Sequence, residues 1–186
     1  LHPAGGCNGN QENQYRRVLI LRRDRTKTRY AIRELRIMTR DVLIRLSGLQ
    51  ATEGDEGVVE VITAGDYFWK NNKHYLIYDE VMEGLDGAIR NTMKLTPEKL
   101  EIKKSGPVSA SMVFEVDKKT QTHYATPMGE LLVEMTTSRI GFEEEDDHLK
   151  VEVEYSLDIN YDHVSDCRIV LDVTSKSCAK LELGEN

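Results

Sequence analysis

The side chains with the clearest chemical potential are charged or phenolic residues that alternate with apolar ones along strand-like segments. Glu80 shares one face of such a segment with Tyr78, and Arg139 shares one with Met135. Because side chains on a strand alternate between two faces, this spacing predicts that Glu80 and Arg139 both point into the protein. An interior charge must be paired or must face a ligand, since removing it from water alone costs several kcal/mol.

These inward charges allow two interpretations. In the first, Arg139 anchors the carboxylate or phosphate of a small ligand, Glu80 lies beside it, and amphipathic walls are formed by Tyr67, Tyr78 and Tyr124. Small-molecule pockets are mostly apolar with a few placed polar groups, which this set would provide. In the second, Glu80 and Arg139 form an internal ion pair or lie in water at one end of the fold, and no ligand is bound.

The cysteine and histidine spacings do not predict a metal or redox site. Cys7, Cys167 and Cys178 are an odd number of cysteines without a Cys-x-x-Cys motif, so we expect unpaired thiols in a reducing compartment. The histidines show neither the His-Glu-x-x-His motif nor another paired spacing, and no zinc site is expected.

One segment resembles the opening of a calcium-binding loop. Asp158, Asn160 and Asp162 alternate as calcium ligands would, but His163 and Ile169 occupy the positions that require glycine and a bidentate glutamate. The pattern fails where the turn and the last ligand are needed. We interpret the segment as a hairpin loop and predict no bound metal.

Catalytic motifs are also missing from the sequence. There is no Gly-x-Ser-x-Gly motif, and Gly84-x-x-Gly87 is too short for a phosphate-binding loop and precedes a strand instead of a helix. We therefore expect a protein that is not an enzyme, has no catalytic residue and uses no cofactor.

The elements that would position these residues are predicted to be strands. From Asp41 onward apolar and polar residues alternate with period two, and turn signals interrupt them at short intervals. The β-branched residues agree, with 15 Val, 11 Ile and 13 Thr against 8 Ala. Nine or ten strands are predicted, within residues 42–49, 58–69, 74–81, 89–95, 100–104, 108–116, 120–126, 131–139, 149–159 and 169–173.

Strands in such an order close most simply into an up-and-down antiparallel barrel, because closure removes the exposed edges that invite aggregation. The predicted fold class is therefore all-β, an antiparallel barrel of about 8–10 strands. The interior of a barrel of this size is either filled with side chains or holds one small ligand. Whether the interior is filled or holds a ligand decides the function.

Composition places the chain among soluble proteins. The 25 basic and 32 acidic residues give a net charge of −7, and 39% of the residues are hydrophobic. No stretch approaches the roughly 18 apolar residues of a membrane span, and the N-terminus lacks the order of a signal peptide. We expect a cytoplasmic protein with no membrane partner.

Charge divides the chain before Met38. Residues 1–37 hold nine basic and three acidic residues, whereas the remainder holds 16 basic and 29 acidic ones. The first 14 residues have no periodicity and are predicted to be disordered, and Tyr30 to Met38 could form a basic helical turn. Predicted boundaries are a basic extension over 1–37, either disordered or a non-native upstream segment, a β-barrel over 38–176 and a C-terminal tail over 177–186.

The basic extension has two interpretations. An Arg-rich arm can bind nucleic acid through phosphate contacts. Alternatively, residues 1–37 are upstream sequence translated in frame, since the chain begins with Leu1 and Met38 stands directly before the first strand. The second interpretation is favoured, so we expect no nucleic-acid partner except through this arm.

Several segments resemble the YwiB-like family of bacterial β-barrel proteins over about residues 38–176. They are Gly65–Tyr67, Tyr75–Glu80, Lys104–Gly106, Thr122–Gly129 and Thr137–Ile140, of which Tyr124-x-Thr126-Pro127-x-Gly129 followed by Leu131 is the most specific. The resemblance implies a calycin-like barrel, the architecture of lipocalins and fatty-acid-binding proteins. It implies no catalytic residue.

We therefore expect a calycin-like barrel that binds a small, partly apolar or anionic ligand in its interior without transforming it. The alternative is a filled barrel that acts as a protein-interaction or regulatory module. Fold analogy to lipid carriers cannot decide between them, because one architecture supports many functions.

Overall fold

The structure, a computed structural model, describes residues 15–23, 28–36, 38–48 and 60–178, the first two ranges by their backbone. The chain divides into two compact units, Leu1–Ile37 and Met38–Asn186. Cys7, the predicted turn at residues 54–57 and the tail beyond residue 178 lie outside the described residues.

The first unit contains a β-hairpin. Strand β1 (Tyr15–Arg23) pairs antiparallel with β2 (Thr28–Arg36), so that Tyr15 lies opposite Arg36. The predicted helical turn over Tyr30 to Met38 is wrong, because most of that segment is in β2. An apolar, partly β-branched run at residues 18–21 forms the middle of β1, and pairing with this strand holds the basic segment extended.

The second unit is a ten-stranded antiparallel sheet without helices in its described residues. Its strands are β3 (Asp41–Ser47), β4 (Glu60–Lys70), β5 (Lys73–Val81), β6 (Ala88–Thr96), β7 (Lys99–Ser105), β8 (Ala110–Glu115), β9 (Lys119–Thr126), β10 (Gly129–Glu145), β11 (His148–Ile159) and β12 (Asp162–Ser175). The first strand of the sheet, β3, pairs with the last, β12, and the other neighbours are consecutive in sequence.

The sheet order is β8-β7-β6-β5-β4-β3-β12-β11-β10-β9, which leaves β8 and β9 as its two outer strands. These strands meet at one bridge, where Ser109 and Ala125 exchange backbone hydrogen bonds of 3.0 and 2.9 Å. Further along, the Thr120 hydroxyl donates to the Val113 carbonyl at 2.5 Å. The sheet therefore forms a nearly closed barrel, and the predicted all-β, up-and-down antiparallel barrel is confirmed.

Turn chemistry explains the tightest connection. Asn71 and Asn72 join β4 to β5 with φ angles of 53° and 57°, as predicted from the tolerance of asparagine for positive φ. We call the end of the barrel with this turn the lower end. The β5–β6, β7–β8, β9–β10 and β11–β12 connections lie at the opposite, upper end.

The final strand is longer than predicted. Strand β12 begins at Asp162, whereas the alternation predicted only residues 169–173. The polar stretch before Ile169 pairs with β11 although it lacks an apolar face. Backbone pairing at the end of a barrel does not require the buried face by which sequence patterns are recognised.

The middle of the barrel is packed with apolar side chains. Among the described apolar residues, twelve have 0% exposure: Val42, Ile44, Leu76, Ile89, Met93, Leu95, Phe114, Leu149, Val153, Ile169, Leu171 and Val173. A side chain lining a water-sized void would retain exposed surface, so no such void adjoins these residues. They come from strands all around the sheet. Any ligand site must therefore lie away from them, toward one end of the barrel.

Candidate functional site

A buried ion pair lies on the inner face near the upper end of the barrel. Lys104 Nζ is 2.8 Å from Glu80 Oε2, and their side chains are 5% and 9% exposed. Asn91 Nδ2 donates to the same carboxylate oxygen at 3.2 Å. The predicted interior position of Glu80 is thus observed, and its cation is Lys104 instead of Arg139.

Strand register brings these side chains together. Tyr78 on β5 lies opposite Asn91 on β6, and Asn91 lies opposite Lys104 on β7. Directly paired residues on one face of a sheet have Cβ atoms about 5 Å apart. We call Tyr78, Glu80, Asn91, Lys104 and the nearby Tyr124 the polar cluster.

Two polar atoms of this cluster have no hydrogen-bond partner. They are the Tyr78 hydroxyl and Asn91 Oδ1, in side chains of residues that are 3% and 0% exposed. A buried polar atom left without a partner costs about 1–3 kcal/mol, so most such atoms are satisfied. The cluster therefore has one unused donor and one unused acceptor.

Burial, and second the negative charge of Glu80, raise the pKa of Tyr78 well above its usual value. The same two causes raise the pKa of the half-buried Tyr124. Tyrosine is already protonated near pH 7, so both hydroxyls are neutral there and can donate a hydrogen bond.

Tyr67 is buried, but it lies in a different group of side chains. Its hydroxyl is 2.9 Å from Nδ1 of the buried His74. The His74 ring also packs against Trp69 and Phe142, at centroid distances of 4.5 and 5.4 Å. These residues fill the lower end of the barrel, so Tyr67 does not join Tyr78 and Tyr124 as a wall of one pocket.

The prediction that Arg139 points inward is wrong. The register of β10 against β11 shifts between Thr137 and Arg139, which marks a β-bulge at Ser138. An extra residue in a strand reverses the alternation of the side chains after it. Thr137 is therefore fully buried, whereas the Arg139 side chain is 65% exposed and Nη1 lies 3.3 Å from Glu154 Oε1.

Lys104 is the interior cation that the sequence interpretation missed. It continues the alternation of Leu100 and Ile102, both of which are buried on the inner face of β7. The alternation that placed Glu80 inside applies equally to Lys104. Lys104 lies at the end of its strand, beside Ser105 and the turn at Gly106, and there the alternation that indicates an inward side chain is easily overlooked.

Chemically, the cluster combines a neutralised charge pair with one phenol donor and one amide acceptor. This arrangement suits hydrogen bonding to an uncharged polar group. Over the part of the chain that the structure describes, no group of three or more His, Cys, Asp or Glu side chains could hold a metal ion. That same part contains no helix with the length and apolar character needed to cross a membrane.

Comparison with known proteins supports the barrel. A family model described as a domain of unknown function, DUF1934, matches residues 44–171. The uncharacterized beta-barrel protein YwiB of Bacillus subtilis (strain 168) is 24% identical over 118 residues, which are 63% of this chain and 82% of YwiB. The crystal structure of ywiB protein from Bacillus subtilis aligns with a TM-score of 0.62 at 21% identity, covering 73% of this chain and 91% of that one.

Proposed function

The chain belongs to the family of domains of unknown function DUF1934, as its resemblance to YwiB-like proteins predicted, and we propose that its barrel binds a small, partly apolar molecule without transforming it. The molecule binds at the polar cluster near the upper end. The protein acts as a binding protein and not as an enzyme.

One observation carries this proposal: the Tyr78 hydroxyl and Asn91 Oδ1, which belong to directly paired residues of β5 and β6, are both buried without partners. A ligand group that accepts from the phenol and donates to the amide oxygen satisfies both atoms. Primary amides and alcohols have this combination of donor and acceptor. Asn91 is fully enclosed, so either a ligand or a buried water reaches its Oδ1 only when a neighbouring side chain moves. Titration with small probes separates the two cases.

The charge of the site favours an uncharged ligand. Glu80 and Lys104 neutralise each other at 2.8 Å, so a carboxylate or phosphate entering the cluster would add an unpaired charge to a buried region. Such a charge is costly to desolvate. The anionic ligand expected from an inward Arg139 is accordingly not the one proposed, since Arg139 is on the outer face.

The apolar part of the ligand lies along the upper end of the barrel. Val108 and Ala110 are buried at this end, and Ala110 lies directly opposite Lys104. The packed middle of the barrel excludes a long chain running down the axis. We therefore propose a compact ligand that is held under the half-buried Tyr124. The calycin analogy suggests instead a lipid enclosed along the barrel axis.

We also propose that the protein works in a reducing compartment such as the cytoplasm. Cys167 and Cys178 are both free thiols. Free cysteines are common in compartments where thiols are kept reduced, and disulfides are rare there.

The packed middle of the barrel favours a second function. A barrel filled by side chains can serve as a rigid support for an interaction surface on its loops. In that case the Glu80–Lys104 pair is structural, and the functional residues are exposed ones. The two functions differ in whether a small molecule binds at the polar cluster.

Nuclear magnetic resonance titration of the full chain tests ligand binding. The probes are hexanamide and hexanoate, which have the same apolar chain and differ in charge. Hexanamide should shift the resonances of residues flanking the polar cluster, and Tyr78→Phe should weaken its binding by about tenfold, the effect of one buried hydrogen bond. Arg139→Met is the matched control and should leave binding unchanged.

Preferential binding of hexanoate would contradict the uncharged ligand. Failure of both probes to shift the cluster would contradict ligand binding there and would leave a buried water as the partner of the two atoms.

A further inference from the structure

Exposed apolar side chains gather on two hairpin tips at the upper end of the barrel. Met128 in the β9–β10 turn is 94% exposed and Tyr161 in the β11–β12 turn is 77% exposed. Leu131 and Val164, beside these turns, are 38% and 48% exposed. We call these four residues the hairpin-tip patch.

Two hydrogen bonds hold the β11–β12 turn against the start of β10. The Asn160 amide donates to the Leu132 carbonyl at 2.8 Å, and the Leu132 amide donates to Asn160 Oδ1 at 3.1 Å. The turn that carries Tyr161 is thus fastened to the start of β10, next to Leu131. The turn that carries Tyr161 and the start of β10 therefore form one fixed surface.

Tyr161 has an unfavourable backbone conformation for its residue type. Its φ is +74°, and the preceding Asn160 has a φ of +51°. The equivalent lower turn uses Asn71 and Asn72, residues that tolerate positive φ. A bulky residue at positive φ is an outlier, and glycine would suit the position better. Its exposed ring makes no compensating contribution to a core, so folding does not explain the tyrosine.

The charges around the patch define what can bind there. Glu130, Asp162 and Asp166 are exposed. Glu130 pairs with His123, and within the described part of the chain no Lys or Arg pairs with any of these three carboxylates. A second copy of the same surface would bring like charges together, and anionic lipid would be repelled for the same reason.

We propose that the hairpin-tip patch docks a partner protein whose contacting surface combines an apolar recess for Tyr161 with flanking lysine or arginine residues. Tyrosine is among the residues that most often dominate binding energy at the centre of an interface. The carboxylates add complementarity and steer the approach of a basic partner. This interaction uses none of the polar-cluster residues and does not depend on ligand binding.

Photocrosslinking in the host cell tests the proposal. The full chain, carrying p-benzoylphenylalanine in place of Tyr161, is irradiated, and the crosslinked protein is identified and purified. Its affinity is then measured for the wild-type chain and for Tyr161→Gly. Val116→Ser is the control. Val116 and Leu131 have the same exposed fraction, 38%, but Val116 lies at the lower end of the barrel.

Tyr161→Gly should weaken partner binding by about tenfold or more, and the affinity should fall as salt is raised. The same substitution should keep or raise the melting temperature of the barrel, because glycine relieves the positive φ. Val116→Ser should leave the affinity unchanged.

If Tyr161 were needed only for folding, its replacement would instead lower the melting temperature. The proposal is overturned if Tyr161 crosslinks only to a second copy, to the same chain, to lipid or to nothing, or if Tyr161→Gly leaves the affinity for the captured partner unchanged.

Discussion

At the scale of single residues, the Glu80–Lys104 pair is expected to be far more sensitive to the loss of one partner than to the loss of both. Each charge is buried, and each satisfies the other at 2.8 Å. Removing one charge leaves the other unpaired in a region from which water is excluded. Replacing both with neutral side chains removes the attraction and the desolvation penalty together.

Lys104→Met should therefore lower the free energy of unfolding by about 3–5 kcal/mol. The double variant Glu80→Gln with Lys104→Met should recover most of that loss. Urea denaturation of the single and double variants measures both effects. The exposed pair of Arg139 and Glu154 supplies the control, since Arg139→Met should change stability by no more than about 1 kcal/mol. Additive losses in the double variant would contradict a buried pair.

At the scale of the strands, Gly65 shows how the close packing around the polar cluster is achieved. A Cβ at this position would lie 2.6 Å from Ile44 Cδ1, 2.9 Å from the Ile77 carbonyl oxygen and 3.3 Å from Tyr78 Cβ. The isoleucine methyl can move, but the backbone carbonyl is held in the β4–β5 pairing. Glycine thus lets β3 and β5 pack closely against β4.

Gly65→Ala should destabilise the barrel by about 1–3 kcal/mol, as overpacking of a core does. Gly141 in β10 is the matched control, because a Cβ there would meet only Glu152 atoms, at 3.7 and 4.0 Å, which are ordinary contacts. Thermal melts of the two alanine variants compare the sites directly. Equal stabilities would mean that β4 can shift without cost and that Gly65 has no packing role.

The same scale explains what could be predicted from the sequence. Period-two alternation identified the ten barrel strands, and Asn71-Asn72 identified a hairpin, because both signals are local. The bulge at Ser138 left a weaker signal, because the apolar residues change phase between Met135 and Ile140, but the polar run between them does not show where the extra residue lies. The pairing of β10 with β11 places it at Ser138 and so turns Arg139 outward.

The partnership of Glu80 illustrates the same limit. Alternation correctly placed Glu80 inside, but it cannot tell which interior cation lies opposite. That depends on the order of β5, β6 and β7 in the sheet, which brings Lys104 to the carboxylate. The side-chain direction was predictable, whereas the pairing required the register.

At the scale of the whole molecule, the division at Met38 predicts that the barrel folds without the preceding segment. Residues Met38–Asn186 form a compact unit by themselves, and the family match begins only at residue 44. Deleting residues 1–37 should change the melting temperature by less than about 4 °C. A change of that size would correspond to a loss of roughly 1 kcal/mol or more in the free energy of unfolding. A larger fall would mean that the barrel depends on the basic segment.

Salt-sensitive RNA binding by the full chain, lost on truncation, would instead make that segment a functional nucleic-acid arm.

Native mass spectrometry of the full chain purified from its own host tests the central claim, that the polar cluster holds a small molecule, most directly. Ligand binding at the cluster predicts a species heavier than the polypeptide by the mass of one small organic molecule. The bound fraction should be the same in the wild-type protein and in Arg139→Met, and it should be lower in Tyr78→Phe. Wild-type protein that carries no added mass, or a bound fraction that is unchanged in Tyr78→Phe, would contradict ligand binding at the cluster.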